Sequence, residues 1–191
     1  MHDMITNDLY MDTYLLEHPV LRPGQVCICS FPGSKAARFS GIDPQNAFKQ
    51  DLAVMYLLGM AEMIGLVESK EYELMRLVSP PTEVLTVDSE SVQGRIKYTN
   101  MPIRDFWIPD DAFISAWHDK LQGFRSVLLA GNMLGIHCMG GRGRSGTVAA
   151  MLLIDLGLNA EKAIIAVRAA RPGAIETGEQ EQFVRAYRRF T

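Results

Sequence analysis

Cysteine is scarce in this chain, and the few present do not pair. Positions 27, 29 and 138 hold the three cysteines of 191 residues, an odd number that is widely separated except for the first two. That argues against a disulfide framework and for a reducing, cytoplasmic setting. Long apolar runs are missing as well: none reaches the roughly 18 residues that a membrane span requires. Met1-His2-Asp3-Met4 lacks the basic and then apolar order of a secretory leader. Charge of one sign is not in excess, with 19 basic and 22 acidic residues giving a net charge of −3. No nucleic-acid partner is therefore expected, and any basic site must be local. His2, His18 and His118 have no companions at metal-ligand spacing, so neither a metal nor another cofactor is expected. Internal repeats, low-complexity tracts and long linkers are also absent. What is present is ordinary for a globular protein, 48% hydrophobic and 21% charged residues. That suffices for a single domain over residues 1–191, with residues 1–13 loosely held.

The apolar pattern alternates between strand and helix. Residues 25–30 read as a strand closed by Pro32-Gly33. Asp43-Pro44 opens a helix in which Ala47, Leu52, Met55, Tyr56, Met60 and Met63 recur at helical spacing. Residues 64–67 read as a second strand, and 70–78 as a short helix stopped by Pro80-Pro81. Strands over 84–87 and 95–101 flank a polar turn at 89–94. A long helix covers 110–129, a short buried strand 133–137, and three helices 146–156, 160–170 and 179–190. This order predicts an α/β fold: a central, mostly parallel twisted sheet of about four to five strands with helices on both faces. Ligands of such sheets bind beyond the carboxyl ends of strands, which is where Cys138 falls.

His137-Cys138-Met139-Gly140-Gly141-Arg142-Gly143-Arg144-Ser145-Gly146 carries the chemistry. A strand, a glycine-rich loop and a helix start converge backbone N–H groups and a helix dipole on an anion. A thiol in such a cradle is expected to ionise readily. Cys138 is then the nucleophile. Arg144 offers a planar fork for two phosphoryl oxygens, and the N–H groups of Met139 to Arg144 take the others. Gly140, Gly141 and Gly143 permit positive φ and close approach. Ser145 can hydrogen-bond the sulfur, His137 orders the loop, and Arg142 adds a second cation. Ester cleavage also needs a proton donor. Asp105, set between Pro102 and Pro109 after a predicted strand, is the best candidate. Asp110 and Asp111 compete, but stand where helix capping explains them.

On these residues the chain resembles the cysteine-dependent dual-specificity phosphatases of the protein tyrosine phosphatase superfamily. Within them it is most similar to the kinase-associated, cyclin-dependent-kinase-inhibitor type. The resemblance rests on Cys-x5-Arg-Ser, on Pro-Ile-x-Asp-x-x-x-Pro at 102–109, on Phe31-Pro32-Gly33, and on the 171–177 run Arg-Pro-Gly-Ala-Ile-Glu-Thr followed by Gln180. It covers about residues 25–187. It implies a phosphocysteine intermediate on Cys138, with Asp105 protonating the leaving oxygen and then activating water. Gln180, or Gln182 after a register slip, would place that water. No tyrosine-recognition loop is evident, which implies a shallow site open to phosphoserine and phosphothreonine as well as phosphotyrosine.

Other readings stay open at this point. Arg142 with Met139 is only half of an inositide signature, so a small phosphorylated metabolite or inositide is the second substrate class. A phosphate-recognition module without turnover is a reading of another kind. Cys27 and Cys29 share one face of their strand and read as buried packing residues. The alternative, implied by some relatives, is a disulfide between one of them and oxidised Cys138.

Overall fold

The computed structural model describes residues 11–35, 43–75, 84–88 and 92–190. Six strands form one sheet: β1 (Thr13–Leu16), β2 (Gln25–Cys29), β3 (Met60–Gly65), β4 (Val84–Asp88), β5 (Gln93–Asn100) and β6 (Met133–His137). Their spatial order is β1-β2-β6-β3-β5-β4. The inner pairings, β2 with β6, β6 with β3 and β3 with β5, are parallel, and the outermost strands run antiparallel to their neighbours. The helices are α1 (Pro44–Leu57), α2 (Ser69–Leu74), α3 (Asp111–Leu129), α4 (Gly143–Asp155), α5 (Ala160–Ala170) and α6 (Gly178–Ala186).

The α/β architecture agrees with the sequence pattern, but the sheet has more strands than the expected four to five. β1 is the one the pattern hid. It pairs Thr13 with Cys29 through Leu16 with Val26, and Met11 just before it is buried. Residues 11–13 are thus docked rather than loosely held, while 1–10 lie outside the described residues, as do Pro80, Pro81 and the segment 89–91 of the polar turn.

Local chemistry explains most boundaries. Asp43 caps α1, its carboxylate accepting the Asn46 N–H at 3.0 Å, with Pro44 in the first turn. The helix ends at Leu57 because Gly59 turns left-handed at φ 93°. Met60 and Met63 therefore belong to β3 and not to the helix; their helical spacing is fortuitous. Both pack in a core with Cys27, Cys29, Leu52 and Met55. Val26 and Ile28 alternate into the opposite core with Trp117, Leu121, Phe124 and all the apolar side chains of α4. Buried side chains of the Leu121 or Phe124 type each contribute about 1.5–3 kcal/mol. The last helix stops at Ala186, short of residue 190. Tyr187 turns extended there and donates its hydroxyl to Asp155 at 3.0 Å, a carboxylate that also takes Trp117 Nε1 and the Phe190 N–H.

β6 is buried along its whole length, and so is α4. The link between these two central elements is therefore anchored at both ends in the core. Among the described residues no helix is long and apolar enough to cross a membrane.

Candidate active site

Cys138 directly follows β6, and α4 begins five residues later. The loop between them closes tightly over β2. Gly141 sits at φ 66°, and a Cβ there would lie 2.6 Å from the Ser30 nitrogen and 2.7 Å from the Cys29 carbonyl carbon. Only glycine meets both constraints. The expectation that Gly140 and Gly143 also need positive φ is not met. Gly143 instead stands in close approach, a Cβ there coming 3.0 Å from Gln180 Oε1, and Gly140 faces open space.

The loop brings donors to the sulfur. Gly141 N–H points at Cys138 Sγ from 3.2 Å, and Ser145 Oγ lies 3.4 Å from it. Arg144 is almost wholly buried, with only its guanidinium edge on the cleft. Its Nη1 donates to the Leu66 and Ile103 carbonyls at 3.3 and 3.1 Å. Glu71, at the first turn of α2, takes both terminal nitrogens at 2.7 and 2.8 Å. Burial by itself would push the Glu71 carboxyl up, but the hydrogen bonds from Arg144 and Glu68 and the neighbouring cations outweigh it and hold it below its ordinary value. Asp105 Oδ1 lies 2.9 Å from Arg144 Nη2, so candidate acid and charge clamp face the same cleft.

Behind the loop stands His137. Burial is the main cause of its low pKa, pushed down to about 4, with the Arg144 charge adding to it. The imidazole is thus neutral at pH 7. Nδ1–H donating to the Cys138 carbonyl at 3.3 Å and Nε2 accepting from the Tyr98 hydroxyl at 2.8 Å satisfy both nitrogens. Tyr98 in turn meets the Tyr72 hydroxyl. Burial pushes Tyr72 up to about 12 and raises Tyr98 too, so both stay protonated. The relay fits only because residue 65 is glycine: a Cβ there would fall 1.7 Å from the Tyr98 hydroxyl.

The cleft, about 430 Å³, is lined by the polar Asp12, Ser30, Ser34, Lys35 and Arg171 and by the apolar Met75, Phe106 and Met139. Cys138, Arg142, Arg144, Asp105 and Gln180 all line it as well. A larger groove, about 750 Å³, lies between β1 and α5 and contains none of these groups. Gln180 is buried and engaged: Oε1 accepts from Glu176 and Thr177 N–H, and Nε2 donates to the Trp107 carbonyl at 3.2 Å. Gln182 is exposed and does not line the cleft. Asp110 caps α3 through the Phe113 N–H at 2.8 Å. Cys27, Cys29 and Cys138 are free thiols. The hydrogen bond with Cys27, followed by burial, raises the Cys29 thiol well above the ordinary value. Among the described residues no group of three or more His, Cys, Asp or Glu side chains is placed to hold a metal ion.

The residue reading missed Glu71, Tyr72, Tyr98 and Arg171. Arg171 donates Nε–H to the Gly141 carbonyl at 3.2 Å and lies 4.0 Å above the Tyr14 ring, supporting the loop from β1. A signal existed for Glu71 in the spacing Glu68-x-x-Glu71, a capping box that starts α2. For the others no local signal exists.

Comparison with known proteins identifies the family and the fold. A family model described as the DSP-PTPase phosphatase domain of a Swiss Army Knife protein matches residues 43–184. The probable protein tyrosine phosphatase type IVA A of Dictyostelium discoideum is 30% identical over 121 residues, covering 63% of this chain and 71% of that protein. Among solved structures, kinase associated phosphatase with its catalytic-site cysteine changed to serine superposes with a TM-score of 0.66 at 22% identity, covering 91% of this chain and 92% of that one. PTPMT1 in complex with PI(5)P gives 0.51 at 16% identity, covering 86% and 90%. With the family model spanning most of its length and a glycine-rich thiol loop at its centre, the chain belongs to the DSP-PTPase phosphatase family.

Proposed function

We propose that the chain is a phosphoprotein phosphatase acting on phosphotyrosine, and on phosphoserine and phosphothreonine, through a covalent cysteinyl-phosphate. The observation that carries this is the Cys138 sulfur under the Gly141 N–H and Ser145 hydroxyl, with Arg144 and Asp105 paired at 2.9 Å in the same cleft. The Cys138 thiolate attacks phosphorus, and an S–P bond forms as the ester P–O bond breaks. The departing oxygen takes the Asp105 proton. The Asp105 carboxylate then removes a proton from water, whose oxygen attacks phosphorus. The S–P bond breaks, inorganic phosphate leaves, and Ser145 stabilises the returning thiolate. Arg144 and the N–H groups of Met139 to Arg144 hold the charge that builds on the phosphoryl oxygens. His137 holds the Cys138 carbonyl, and Gln180 is the candidate for placing the water through its second Nε2 proton.

The apolar Met75, Phe106 and Met139 suit the ring of phosphotyrosine. A second reading, hydrolysis of an inositide or a small phosphorylated metabolite, draws support from the cations Lys35, Arg142 and Arg171 that line the same cleft. Release of inorganic phosphate from a panel of phosphotyrosine and phosphothreonine peptides, an inositide and a phosphorylated metabolite separates the two. Phosphopeptides are expected to be the better substrates, with Cys138→Ser releasing nothing while still binding phosphate. Binding without release in the unaltered protein would leave only a recognition module.

A further inference from the structure

Phe106, Trp107 and Ile108 present three successive apolar side chains to solvent, 60%, 56% and 37% exposed, on the segment that carries Asp105. Phe106 does so at φ 62°, a left-handed conformation that is strained for a non-glycine residue. The folded chain recovers little burial from this arrangement. The segment is nevertheless firmly posed. Trp107 donates its N–H to the Arg104 carbonyl at 3.0 Å, its own carbonyl accepts from Gln180, and the Arg104 guanidinium covers one ring face at 4.6 Å. A fixed, strained and exposed aromatic pair is a contact surface.

Two observations identify what it contacts. Phe106 lines the cleft that holds Cys138, so the patch continues the catalytic site outward. Its surroundings are acidic: Asp110 and Asp111 follow Ile108-Pro109, Glu179 adjoins the Gln180 that bonds Trp107, and Glu176 lines the cleft, all four exposed. Arg104 is the cation of this segment, while Lys35, Arg142 and Arg171 line the cleft itself. An anionic lipid surface is repelled by such a rim, whereas a basic peptide is drawn to it.

We propose that Trp107 and Ile108, with Asp111 and Glu179, form a docking surface for a phosphoprotein segment carrying an apolar and a basic residue beside its phosphorylated one. This rests on the phosphoprotein reading above and narrows its substrate class. The free face of Trp107 packs the apolar residue, and the carboxylates receive the cation.

The test uses two matched phosphotyrosine peptides, one flanked by Leu and Arg and one by Ser and Glu. Trp117 is fully buried, so a change in tryptophan emission of the Cys138→Ser protein on titration reports Trp107. The Leu/Arg peptide is expected to shift that emission to the blue and to bind about tenfold more tightly. In the catalytically intact protein, kcat/KM for this peptide relative to a small aryl phosphate is expected to fall most of the way to the Ser/Glu value in Trp107→Ala and in Asp111→Asn/Glu179→Gln. Equal binding of the two peptides, ratios unchanged in both variants, or a blue shift with anionic vesicles in place of peptide overturns the proposal. Absence of hydrolysis of every phosphate ester defeats the phosphatase reading itself; hydrolysis without flank preference defeats the docking surface alone.

Discussion

Glu71 grips both terminal nitrogens of Arg144 in a pair almost sealed from water. Without Glu71 the buried guanidinium keeps only the half-exposed Asp105 as its counter-charge. Glu71→Ala is expected to cost about 3–5 kcal/mol of stability, and Glu71→Gln less, because it keeps the shape and one acceptor. Urea unfolding measures both. With its carboxyl held below the ordinary value, Glu71 stabilises the fold fully above that value and loses the contribution as pH falls through the lowered one. Phosphate affinity should fall with the loss of a fixed guanidinium; an Ala variant with normal stability and affinity would show that Arg144 needs no such anchor.

His137 supplies a second pH dependence. Its folded pKa is about 4 against an ordinary value near 6.5. Between these two the unfolded chain takes up a proton that the folded chain refuses. Stability should therefore decline from pH 6.5 to 4 by on the order of 3 kcal/mol from this group. His137→Asn flattens that part of the profile, whatever it does to stability at pH 7. An unchanged slope between pH 4 and 6.5 would mean His137 charges freely in the folded state.

Asp105 is tested by leaving groups. Asp105→Asn removes the proton donor and leaves the loop's own bonds in place. Esters of poor leaving groups should lose roughly 10²–10⁴ in kcat, while aryl esters with acidic phenols lose little. A uniform loss across the series would assign Asp105 to loop structure through Arg144 instead.

Tyr98 joins Tyr72 to His137, and Gly65 makes room for it. Tyr98→Phe leaves a buried acceptor and a buried hydroxyl without a partner, an expected cost of about 1–3 kcal/mol. Gly65→Ala should be more damaging in the unaltered protein than in Tyr98→Phe, since the hydroxyl is the first atom the new methyl meets. A double-mutant cycle by thermal unfolding checks this, and strict additivity would separate the two residues.

The strand–loop–helix junction around Cys138 was readable because all its parts lie within ten residues, and so was the cap at Asp43-Pro44. The span 160–170 was readable for a similar reason, with Asn159 accepting the Lys162 N–H to set the start. β1 escaped notice because a four-residue edge strand has too short a pattern to separate from loop. Met60 and Met63 were misread because methionine is a good helix former that continued the helical spacing, and the break lay in the single residue Gly59. The supports of the site are a different matter. Glu71 is 73 positions from Arg144, and Tyr98 is 39 from His137. Only the sheet order, which sets β3 between β6 and β5, brings them together.

Arg171 lies between the Tyr14 ring and the Gly141 carbonyl. The border strand of the sheet is therefore a buttress of the Cys138 loop, and the two cannot be engineered independently. Trimming the chain through Tyr14 would take away the ring on which Arg171 rests, and with it a support of the loop that holds the sulfur.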